Sequence, residues 1–221
     1  MIAMFRAVLY TQWKWSRLIV VLGTVAAFAI PLLSLQGAAR ADRGALQAQE
    51  LLRAVQSWGT LYPLLATALG LLMAIAAWAA DHRGRHIHAL TLPIERWRYV
   101  LLRFGGGLLL LAAPIAAVLV GSSLAVLTAT LPPGLQAYPI ALAVRFAFAV
   151  FVAYALFFAV SAGTARTAGI ILGIIAAVIL VQVVAGIANI DLNVFGAAQT
   201  LLIVGAGPLA VFTGRWMLVD V

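Results

Sequence analysis

Long apolar stretches alternate with short polar ones along the whole chain, and a helix crossing a hydrocarbon layer of about 30 Å needs about 20 mostly apolar residues. Charges, prolines and loop residues divide the sequence into six such stretches, over about 18–35, 61–80, 104–127, 138–160, 168–188 and 197–213. The pattern predicts an all-α, polytopic membrane protein built as one transmembrane domain over residues 1–221. Ahead of the first crossing, Met4, Phe5, Val8, Leu9 and Trp13 recur at helical spacing while Arg6, Gln12 and Lys14 fall elsewhere. That spacing predicts an N-terminal helix over about 3–16 lying in the cytoplasmic interface; the plainer reading is a frayed tail with an aromatic belt. Between the first two crossings, Ala48, Leu51, Leu52, Val55 and Trp58 give residues 36–57 an apolar face, which predicts a short helix resting on the outer surface.

Composition strengthens the membrane reading. Of 221 residues, 65% are apolar and 9% charged, against about 45–50% and about 25% in ordinary soluble domains. Cysteine is absent, which excludes disulfides and thiolate chemistry. The one lysine, Lys14, has no glycine near it, so no phosphate-cradling loop of the Gly-Lys-Ser/Thr kind exists here. The net charge of +8 comes mostly from arginines spread between apolar segments, not from the continuous stripe that nucleic acid needs, so no nucleic-acid partner is expected.

The same charges predict orientation, because basic residues concentrate on the cytoplasmic side. With the N-terminus inside, Arg6, Lys14, Arg17, Arg83, Arg85, Arg96, Arg98, Arg103, Arg166 and Arg215 fall on the inner face, ten in all, against four outside, Arg40, Arg43, Arg53 and Arg145. Both termini are therefore expected in the cytoplasm. Usage rich in Ala, Gly and Arg points to a bacterial source. A cleaved signal peptide ending near Ala39 is the competing reading of the start, but the apolar run is long for one and Tyr10, Trp13 and Trp15 suit a permanent interfacial anchor.

The densest polar stretch joins the second and third crossings, from Ala80-Asp81-His82-Arg83-Gly84-Arg85-His86 through Leu90 and Pro93-Ile94-Glu95-Arg96 to Arg103. Charge alternates there with Ile87, Leu90, Leu92, Ile94 and Trp97, a pattern suited to a short amphipathic helix and a new helix starting at Pro93. In this segment the chain resembles the permease subunits of ABC-2 type transporters, exporters with six spans per permease. Their second span ends in an acidic residue, followed by a basic residue, glycine, a leucine-bearing turn, Pro-hydrophobic-x-Arg and a basic residue entering the third span. Asp81, Arg83, Gly84, Leu90, Pro93, Ile94, Arg96 and Arg103 stand at those places, whereas Arg85 and Glu95 fill positions that are commonly Ser or Thr. The resemblance covers the whole chain in layout and residues 80–103 in motif.

The resemblance implies that this chain forms the substrate path and is not itself an enzyme. ATP and Mg would be handled by a separate ABC ATPase subunit, with a second permease copy or a related permease completing the path. Asp81, Arg83, Gly84, Arg85, His86, Leu90, Pro93 and Arg96 would form the coupling segment, with a cytoplasmic coupling helix over 83–92. The alternatives are a solvated, inside-marking loop and, for the whole chain, an ATP-independent channel or secondary carrier.

Other residues point to chemistry less sharply. His82 and His86 have metal-ligand spacing, but only Asp81 stands near to complete a site, and no metal is expected. Arg145 lies inside the fourth crossing, where an ionisable group either snorkels to headgroups or lines a path for an anionic substrate. Tyr154 belongs to an aromatic ridge with Phe148, Phe151 and Phe158, and Gln182 is a polar group within the fifth crossing; both are candidates for the substrate path beside packing. Gly169 and Gly173 permit close helix approach, while Gly105-Gly106-Gly107, Pro114 and Pro208 suit bends or tight packing. Intramembrane proteolysis is excluded: all three histidines share one loop and His-Glu-x-x-His is absent. The substrate itself is not readable from the spans.

Overall fold

The computed structural model describes residues 2–36, 45–83, 95–129, 131–132, 134–162, 177, 180–181, 197, 200–203 and 207–220. Five helices are defined there: α1 at Ile2–Gln36, α2 at Ala45–Gly59, α3 at Leu61–Arg83, α4 at Arg96–Thr128 and α5 at Pro139–Ser161. Two short strands, β1 at Gln136–Ala137 and β2 at Val219–Asp220, pair antiparallel. Among the described residues, four helical stretches are long and apolar enough to cross a membrane: Met4–Leu35, Leu51–Ala79, Arg96–Thr128 and Pro139–Ser161. They coincide with the first four predicted crossings. Most of residues 168–188, including Gly169, Gly173 and Gln182, lie outside the described residues. The chain divides into two units, Met1–Phe158 with Arg215–Val221, and Ala159–Gly214.

In the first unit α1 is one unbroken helix of 35 residues, so residues 3–16 run without a break into the first apolar stretch. No glycine or proline interrupts the chain before Gly23, and Gln12 and Ser16 are buried, so the early turns belong to the bundle. At about 1.5 Å per residue such a helix is about 52 Å long, well beyond a hydrocarbon layer of about 30 Å. The segment between the first two crossings forms the predicted helix. In α2, Leu51 and Val55 are buried while Arg53, Gln56 and Ser57 are exposed.

Small residues set the helix spacing, as they must where lipid on the outside is as apolar as the side chains inside. A Cβ on Gly121 would sit 2.6 Å from the Phe28 carbonyl oxygen, and one on Gly70 would sit 2.6 Å from the Ala153 Cβ and 2.7 Å from the Tyr154 nitrogen. Gly106 is packed against Gln12, and Gly107 against the Tyr154 hydroxyl. These contacts run α1 parallel to α4 and α3 parallel to α5, the alternation of successive crossings. Gly106, Gly107 and Gly121 of α4 thus serve close packing, and Pro114 is buried within the helix without breaking it.

Near the chain's end the strand pair matches Gln136 to Asp220 and Ala137 to Val219. Gly134, at φ 91°, turns the chain into β1 in a conformation that only glycine adopts freely. Tyr138 N–H donates to the Leu218 carbonyl at 2.9 Å, Leu218 and Val219 are fully buried, and Trp216 stacks on Tyr62 with ring centroids 6.2 Å apart. This end of the unit carries the starts of α3 and α5. The start of α1 lies at the other end, where Gln12 meets Arg103. The early turns of α1 and strand β2 therefore lie toward opposite ends of the unit. Charge counting assigns Arg215 to the inner side, whereas backbone pairing ties its segment to the chain entering α5.

In the second unit, Thr200, Leu201 and Leu202 are helical, Ile203 is in a turn, and Leu209 N–H donates to the Leu202 carbonyl at 2.8 Å. A short 3-10 turn follows at Ala210–Phe212. Among the described residues, 207–213 do not continue that helix, because Pro208 lacks an N–H and disfavours helical backbone at the residue before it.

Candidate functional site

The segment predicted to couple the chain to a partner springs from the paired ends of α3 and α4. Asp81 and Arg83 lie in the last turn of α3, and Arg96 is the first residue of α4, its side chain exposed. Gly84, Arg85, His86, Leu90 and Pro93 lie outside the described residues. Glu95 caps α4 in extended backbone, its carbonyl accepts from Arg98 N–H at 3.0 Å, and its carboxylate pairs with Arg98 Nε at 2.9 Å. Trp97 is exposed beside them.

One turn deeper, Arg103 is only 6% exposed. Its guanidinium donates to the Ala77 carbonyl and, through Nε, to the Tyr99 hydroxyl at 2.7 Å, and lies 5.6 Å from the Trp78 ring centre and 4.9 Å from that of Tyr99. The Arg103 carbonyl accepts from Gln12 Nε2 at 2.8 Å, and the Gln12 carbonyl accepts from Ser16 Oγ at 2.8 Å. A charge this deep is tolerated only where hydrogen bonds and aromatic faces replace water. One residue therefore ties α1, α3 and α4 together at the root of the loop. The sequence marks Arg103 by orientation and by the permease-like motif but not as a clamp; the available signal was Tyr99 four residues earlier, on the same helical stripe.

The aromatic ridge of α5 divides. Tyr154 is fully buried, its ring stacked 5.2 Å from Phe104, and Phe158 lies 5.1 Å from Trp78. Phe148, by contrast, is 60% exposed. Tyr154 thus packs α5 against α4.

Arg145 occupies the opposite end of the unit. It donates through Nη1 to the Arg215 carbonyl at 2.6 Å and lies 4.7 Å from the Trp216 ring centre. A pocket of about 240 Å³ opens there, lined by Tyr138, Leu142, Arg145, Arg215, Trp216 and Asp220, among others. Sequence reading singled out Arg145 by its depth but missed Arg215, Trp216 and Asp220, which are distant in the chain and reach it only through the strand pair. Among the described residues, no cluster of His, Asp or Glu could hold a metal ion.

No family model, no curated protein and no solved structure matches the chain. The likeness to ABC-2 permeases therefore rests on residues 80–103 and the overall layout.

Proposed function

We propose that this chain is the membrane-spanning permease subunit of an ATP-driven ABC exporter, working with a separate ATPase that binds ATP and Mg and with a second permease copy or a related permease. The reading places it in a bacterial inner membrane, with the loop over 84–94 on the cytoplasmic side. The observation that carries it is the clamp at the root of that loop: Arg103 binds the end of α3 and Gln12 of α1 to α4. A push on such a loop moves three helices as one body, which rigid-body coupling requires. The test is copurification in detergent: the ATPase should accompany the intact chain, and deletion of 84–92 should release it while the chain stays folded. An intact chain that never retains an ATPase, yet conducts substrate in vesicles without ATP, would end this reading.

The second reading is an ATP-independent channel or secondary carrier, in which the loop over 84–94 serves no partner. Transport by purified chain in vesicles, driven by an ion gradient alone, would decide for it.

A further inference from the structure

The early turns of α1 have two faces. Gln12 and Ser16 are buried in the bundle, while Arg6, Tyr10 and Trp13, at intervals of four and three, form an exposed stripe on another side of the helix. A groove of about 620 Å³ runs along that stripe, lined by Arg6, Ala7, Leu9, Tyr10 and Trp13 of α1 and by Leu110 of α4. The hydrogen bond from Gln12 to Arg103 fixes the relative height of the two parallel helices, and Arg103 immediately precedes the third predicted crossing. At about 1.5 Å per residue, Arg6 lies about 9 Å outside that edge of the hydrocarbon and Leu110 about 10 Å within it. The groove therefore extends about 20 Å along the axis, the thickness of one leaflet in a bilayer of about 40–45 Å. Among the described residues its one charged lining group is Arg6, at the outer end; the rest of the lining is apolar or aromatic. Tyr10 and Trp13 stand between, at the level where such rings anchor to headgroups.

We infer that this single groove holds one anionic phospholipid, with its phosphate at Arg6 and an acyl chain passing Tyr10 and Trp13 to Leu110. Charge selects the headgroup. No acidic residue occurs before Asp42, whereas Arg6, Lys14 and Arg17 are all exposed on α1, so the charged side chains at this end of the helix are all cations. A guanidinium binds phosphate through directed, charge-assisted hydrogen bonds. Width selects the rest: a helix about 10 Å across and about 20 Å long fills about 1,600 Å³, so a groove of about 620 Å³ suits a narrow acyl chain and not a helix of a second copy. The inference is independent of the ATP-driven reading, because it concerns this chain alone in a bilayer.

The test is lipid retention by the purified full chain, read by native mass spectrometry, with dioleoyl phosphatidylglycerol, dioleoyl phosphatidylcholine and glycerophosphate as probes. Phosphatidylglycerol should be retained about fivefold over phosphatidylcholine, the effect of one arginine beside an anionic headgroup. Arg6→Gln should bring the two lipids level, while Arg53→Gln, an exposed arginine of α2 outside the lining, should leave the preference unchanged. Leu110→Trp, and Ala7→Trp from an exposed position, narrow the groove and should each weaken both lipids alike, with circular dichroism and melting temperature reporting an intact fold. Equal retention of the two lipids by the native chain, or a preference that survives Arg6→Gln, overturns the inference. So does an equal loss in Arg53→Gln, which would mean diffuse charge attraction, and so does glycerophosphate binding as tightly as the intact lipid, which would leave the groove no role. Unchanged lipid retention in Ala7→Trp with an altered oligomeric state would give the groove to a second copy and overturn it too.

Discussion

The two ends of the first unit both hold an arginine beside a tryptophan, and the protein uses them in opposite ways. Arg103 is sealed in, with a backbone carbonyl from α3, a tyrosine hydroxyl and two aromatic faces around it. Arg145 is partly open, donates to the Arg215 carbonyl, lies over the Trp216 ring and borders a pocket. The difference lies in what surrounds each residue, since both sit within a few turns of a helix start. A guanidinium whose donors go to fixed protein groups is a structural clamp; one that faces a cavity is placed to meet something from outside. The first favours rigidity beneath the loop, the second recognition at the far end.

The sharpest way to break this comparison is to ask whether the two ends face opposite sides of the membrane. The chain has no cysteine, so single substitutions report cleanly. An impermeant maleimide applied to intact cells should label either Arg6→Cys or Val221→Cys and never both, an all-or-none result. Joint labelling would dissolve the strand pairing that separates the ends.

Next in size is the clamp itself. Arg103→Leu should cost about 3 kcal/mol of stability in detergent melts, since it removes hydrogen bonds to a charged group together with two cation–π contacts. A loss below a third of that would mean the buried guanidinium contributes little. Gly107→Ala should cost about 1–3 kcal/mol through overpacking against Tyr154. Combined with Tyr154→Phe, which removes the hydroxyl in its way, the same change should do less harm, and additive effects would place the conflict elsewhere. Gln12→Leu should cost about 1 kcal/mol by losing its bond to the Arg103 carbonyl, visible as a lower melting temperature. Smallest is Arg145→Gln, whose loss of one partly exposed cation–π contact should cost less than about 1 kcal/mol. A melt as damaged as that of Arg103→Leu would make both arginines clamps.

Four crossings were legible in the sequence because transfer of an apolar stretch from water to lipid is a local, additive property of consecutive residues. The amphipathic helix of α2 was legible for the same reason. Its Leu51 and Val55 repeat every four residues and are both buried. The continuity of α1 was not, since Arg6, Gln12 and Lys14 resemble interfacial polarity until Gln12 is seen bonded to α4. Of the residues expected to matter, Arg145 borders a pocket, Tyr154 stacks on Phe104, and the coupling residues are represented only by their flanks, Asp81, Arg83 and Arg96. Missed altogether were Arg103 as a clamp and the Arg215–Trp216–Asp220 wall of the pocket.

By itself the sequence determined the solvent, the helical class and the spacing of the first four crossings, all of which follow from summing hydropathy over neighbours. Tertiary structure alone decided which polar group meets which. A hydrogen bond from Gln12 to Arg103 or a strand pair from Ala137 to Val219 joins residues far apart in the chain. No local sum contains that information, because the free energy of a buried polar group depends on its partner and not on its own identity.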